Sequence, residues 1–172
     1  MAQSGIFNVL DYDIRPTETA DRNRRKLQDL VDSLLSGGSD FTNGNGGTIS
    51  FPSVGTYKFD GHVTIGPGTG SKSPSILFIG TGPGSLSLPI LEMVNNSDDL
   101  FVVNNHSSED DDIGGVLFRD LQIAYSKNST SGAAIRVSNN ASGAGSQNVR
   151  IFRMVFQDCP RAWCFKTPCK DS

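Results

Sequence analysis

The sequence predicts an all-β chain built from short strands stacked into a coil, and three observations carry that prediction. Hydrophobic residues make up 36% and charged residues 19% of the 172 residues, both low for a globular protein, while Gly alone contributes 19. Such a composition, rich also in Ser, Thr and Asn, suits short strands, frequent corners and polar outer faces. The stretch Gly46 to Ile65, GGTISFPSVGTYKFDGHVTI, alternates in polarity over Thr48–Phe51 and Thr56–Phe59 and is punctuated at Pro52, Gly55 and Asp60-Gly61 before Val63–Ile65. Three strands this short cannot bury themselves and need another layer of the same kind. The third observation is a loose internal repeat.

The order of elements follows from the chain itself. Ile6–Tyr12 reads as a strand with apolar Phe7, Val9 and Leu10, closed by Asp11 and Asp13. A helix is expected over Glu18 to Ser36, with Ala20, Leu27, Leu30, Val31, Leu34 and Leu35 on one face and Arg22, Arg24, Arg25 and Lys26 mainly elsewhere. Thr17 or Thr19 caps its start, Glu18 and Asp21 complement its dipole, and Gly37-Gly38 ends it. Residues 39–47 read as a loop. Beyond it only strands and turns are expected.

The repeat sets the pairing. Aligning GVLFRDLQIAYS from Gly115 with NVRIFRMVFQDC from Asn148 places Val116, Phe118, Leu121 and Ile123 on Val149, Ile151, Met154 and Phe156, an offset of 33. The preceding runs, LFVVNN from Leu100 and AIRVSN from Ala134, match at an offset of 34, and ILFIGTG from Ile76 fits the same slot with Ile76 and Phe78 inward. A polar residue or Gly follows the first inward pair each time: Gly80, Asp120, Arg153. Hairpin turns of the Asn-Gly kind are scarce between these strands, which argues for parallel stacking over an antiparallel sandwich. Like residues then stack on like, about 4.8 Å apart. The helix has a place in this scheme, covering the first turn, whose backbone groups would otherwise face solvent unpaired. The expected domain is one unit over 1–172, with strand, capping helix and loop in 1–47 and roughly four to six coils in 48–172.

At these residues the chain resembles a known family. Phe7-Asn8-Val9 and Asp11-Tyr12, a helix ending Gly-Gly, then Gly46-Gly47-Thr48-Ile49-Ser50-Phe51-Pro52 and Gly55-Thr56-Tyr57, are similar to the N-terminal cap of the pectate-lyase-like superfamily. That superfamily includes pectate lyases, polygalacturonases, fungal β-1,3-glucanases and phage tailspikes. The resemblance covers about the first 85 residues and implies a right-handed, single-stranded parallel β-helix. The family's middle acidic phrase is replaced here by TETADRNRRK, and the matched motifs specify a coil, not a reaction.

Candidate chemistry is sparse. Calcium-holding acids, as the family's lyases use, direct attention to Asp110, Asp111 and Asp112 beside Glu109. Consecutive loop residues point apart, so a solvated loop is the preferred reading and no cofactor is expected otherwise. The polygalacturonase phrases are absent. Glycosidase chemistry needs two carboxyls across the bond, and Asp120 and Asp158, in corresponding regions of two repeats, are the pair to examine. Corner Asp residues also simply hold turns. Gly80, Gly82 and Gly84 lack the following Lys-Ser/Thr of a phosphate loop. Cys159, Cys164 and Cys169 fit neither a disulfide framework nor a metal site, and His62 and His106 stand isolated. Arg119, Arg136 and Arg150, pointing outward by alternation, could join Tyr125 and Phe152 in a surface for sugar or protein, the alternative being ordinary exposed strand residues.

Partners are bounded by charge and hydropathy. A net charge of −3 and a pI near 5.2 argue against nucleic acid, and no apolar run reaches a membrane span. The N-terminus lacks a secretion signal, so an extracellular or virion-associated location requires a removed signal or another export route. The Asn-x-Ser/Thr sites at Asn95, Asn105, Asn128 and Asn140 are what an Asn- and Ser-rich chain produces by chance. The sequence ends at AWCFKTPCKDS without a second cap, so an oligomer, or a longer chain, is expected to cover the last coil. The leading expectation is a non-catalytic structural or binding module for polysaccharide or protein in a larger assembly. The alternatives are the N-terminal part of a polysaccharide lyase or glycoside hydrolase, and a tailspike or capsid-surface component.

Overall fold

Asn8 decides how the chain begins. Its side-chain Oδ1 accepts the Leu10 N–H at 3.0 Å and turns the backbone out of β1 (Ile6–Asn8) into a short 3-10 turn, Val9–Tyr12, closed by Asp13 in the left-handed region at φ 58. The strand expected over Ile6–Tyr12 is therefore half strand and half turn, because a local side-chain acceptor outcompetes the ladder. The computed structural model describes residues 5–36, 46–66, 75–82, 87–95, 97–105, 115–126, 131–139 and 149–166.

The helix α1 (Ala20–Ser36) follows, with Thr19 Oγ1 accepting the Arg22 N–H at its start. Leu27, Leu30, Val31, Leu34 and Leu35 are buried, and the wet side carries ion pairs such as Arg22–Glu18 at 3.1 Å. Among the described residues, twelve further strands are β2 (Gly46–Pro52), β3 (Thr56–Phe59), β4 (Val63–Ile65), β5 (Ser75–Thr81), β6 (Ile90–Met93) and β7 (Phe101–Asn105), then β8 (Gly115–Arg119), β9 (Gln122–Tyr125), β10 (Ile135–Asn139), β11 (Val149–Phe152), β12 (Val155–Gln157) and β13 (Trp163–Lys166).

These strands form three sheets, ordered β1-β2-β5-β8-β11, β3-β6-β9-β12 and β4-β7-β10-β13. Every pairing is parallel. From β2 onward the chain visits the first, second and third sheets in that order four times, an arrangement of stacked turns compatible with a parallel β-helix. The pairing matches the repeat read from sequence: Val116 opposes Val149, Phe118 opposes Ile151, Ile123 opposes Phe156, and Phe101 opposes Ile135. Ile76 and Phe78 lie opposite Val116 and Phe118.

Inward residues fill the space between the sheets. Phe78 and Phe118 stack at 5.1 Å with planes 10° apart, and Phe101 leans on both at 5.0 Å. Each such ring contributes about 2 kcal/mol through burial. At the start of the stack, α1 packs on β3 and β4. It offers them side-chain amides in place of a further strand. The fully buried Asn23 donates to the carbonyls of Arg15 at 2.9 Å and Lys58 at 3.2 Å, while Gln28 engages both backbone groups of Thr64.

The other end differs. Among the described residues, no strand pairs with the outer edge of β11, β12 or β13. Ile151 is 38% exposed and Trp163 55%, although the residues they oppose, Phe118 and Ile135, are fully buried. Among the described residues, no helix is long and apolar enough to cross a membrane.

Candidate functional site

The corner between the first and second sheets brings charged side chains of successive turns together. After β8 the chain turns at Asp120 (φ 57), and after β11 it turns at Arg153 (φ 50). These two residues occupy the same place in successive turns, next to the pair Arg119–Phe152. Gly80 stands one turn earlier, next to Ile79, which opposes Arg119. A Cβ at Gly80 would lie 1.8 Å from the Asp120 carbonyl oxygen, so this step of the column accepts only glycine.

The left-handed region suits Asp but costs Arg about 1 kcal/mol. Arg153 is held there by a forked contact: Nε reaches Asp120 Oδ1 at 2.5 Å and Nη2 reaches Oδ2 at 2.6 Å. Arg119 Nε adds a third bond to Oδ2 at 2.8 Å. The Arg153 hydrogen bonds first, and that of Arg119 second, hold the Asp120 carboxyl below the usual carboxylate range against the opposing effect of burial. Phe152, 54% exposed, lies beneath both guanidiniums, with Arg119 at 5.8 Å and Arg153 at 5.4 Å from the ring centre. Beside this clamp runs a groove of about 400 Å³, lined by Gly80, Ser87 and Pro89 from one turn and by Asp120, Arg153 and Val155 from the next two.

Asp120 is ionised, with Oδ1 accepting one hydrogen bond and Oδ2 two, so it holds no proton to give. Two guanidiniums against one carboxylate leave a net positive surface beside an aromatic ring, a combination that binds polar or anionic groups.

The other residues singled out in the sequence are scattered around the stack. Asp158 turns at φ 53 after β12, at the corner between the second and third sheets, so it stands at a different corner from Asp120. Arg136 lies on the third sheet and pairs with the buried Asp99, whose Oδ1 also accepts the Ala133 N–H at 2.8 Å. Arg150 is exposed on β11.

Tyr125 lies inside the stack, not on its surface. It opposes Met93 on β6, is only 3% exposed, and directs its hydroxyl at the carbonyls of Asp98 and Ala133 at 3.0 and 2.8 Å. Burial, the main cause, drives its phenol pKa far upward. Alternation from the inward Ile123 already implied this orientation. Asp110, Asp111 and Asp112 lie outside the described residues. Arg153, not among the binding candidates drawn from the sequence, completes this corner, and its signal was available: Asp120 and Arg153 are opposite charges at the repeat offset of 33.

Cys159 and Cys164 are free thiols, and burial pushes that of Cys159 up to about 11. Compared with known proteins, the chain matches no family model, no curated protein and no solved structure.

Proposed function

We propose that this chain is a non-catalytic structural and binding module of a larger assembly, built as a right-handed parallel β-helix of the pectate-lyase-like type. The observation that carries this reading is the corner at Asp120, where the one carboxylate lining the groove is held as a structural anion by Arg153 and Arg119 beside the exposed Phe152 ring. Such a groove supports a binding role, for polysaccharide or protein.

Titration calorimetry of acidic and neutral oligosaccharides with the chain and with its Phe152→Ala variant tests the reading. Binding weakened by Phe152→Ala is the expected result; no binding, or binding unchanged in the variant, would overturn a polysaccharide-binding role of the groove. Cleavage of polyuronates or β-glucans by this chain alone would establish an enzyme instead.

A further inference from the structure

We draw no further inference here: the strongest candidate, the groove lined by Gly80, Pro89, Asp120, Arg153 and Val155 at the corner between the first and second sheets, belongs to the site already described.

Discussion

Gln28 pairs through its side-chain amide with both backbone groups of Thr64: its Oε1 accepts the Thr64 N–H at 2.7 Å, and its Nε2 donates to the Thr64 carbonyl at 2.9 Å. A helix thus presents to β4 what a neighbouring strand would present. Gln28→Ala leaves both groups without a partner, and the expected cost is about 1–3 kcal/mol. Urea denaturation measures it, and faster exchange of the Thr64 amide locates it. Gln28→Glu keeps an acceptor for the N–H but sets a carboxylate against the Thr64 carbonyl and Asp32, so it is expected to restore little. Full stability in Gln28→Ala would show that the helix seals the turn by apolar packing alone.

Arg153 gives a comparison in which the smaller residue should win. Its φ of 50 strains any side chain with a Cβ, and only Arg gains the forked contact with Asp120. Arg153→Ala and Arg153→Gly both lose that contact, but Gly is also free of the strain. Arg153→Gly is expected to be more stable than Arg153→Ala by about 1 kcal/mol in chemical denaturation. Equal stabilities would mean that the corner relaxes once the guanidinium is gone.

Asp120 introduces acid sensitivity of defined sign. Its folded pKa is lowered, with Arg153 the leading cause. The stabilisation is therefore fully present above the unfolded value near 3.9, and is lost as pH falls through the lower folded value. Solvent screening at this corner keeps the effect under about 1 kcal/mol. Asp120→Asn should flatten this part of the pH–stability curve while lowering stability at neutral pH. A loss of stability at alkaline pH in the native chain alone would contradict the assignment.

Tyr125 separates structure from recognition. Tyr125→Phe removes a buried hydroxyl from the carbonyls of Asp98 and Ala133 and is expected to cost about 1 kcal/mol. Any ligand captured by the groove at Asp120 and Arg153 and reaching the Phe152 ring beside it should bind the variant unchanged, whereas Phe152→Ala should weaken it. Titration calorimetry distinguishes the two variants.

Much of the fold was legible because parallel, in-register stacking writes its pairings into the sequence as repetition. Val116 over Val149 and Phe118 over Ile151 are visible at a constant offset because each slot meets the same surroundings in every turn. Contacts outside that logic were not visible. Gln28 and Thr64 lie 36 residues apart, and nothing in the helical periodicity marks Gln28 as an edge mimic. The 3-10 turn after Asn8 was hidden by an apolar pattern, VL, that serves strand and turn alike. At the candidate site, each arginine is unremarkable alone. Their convergence on Asp120 appears only when opposite charges are compared between aligned slots.

Strand contacts run between neighbouring turns, so the protein behaves as a one-dimensional chain of units, each stabilised by the one beside it. The Asn23 and Gln28 amides lock the first of those units. Whatever loosens that helix therefore reaches distant strands step by step through the turns between, as slack passes along a zipper.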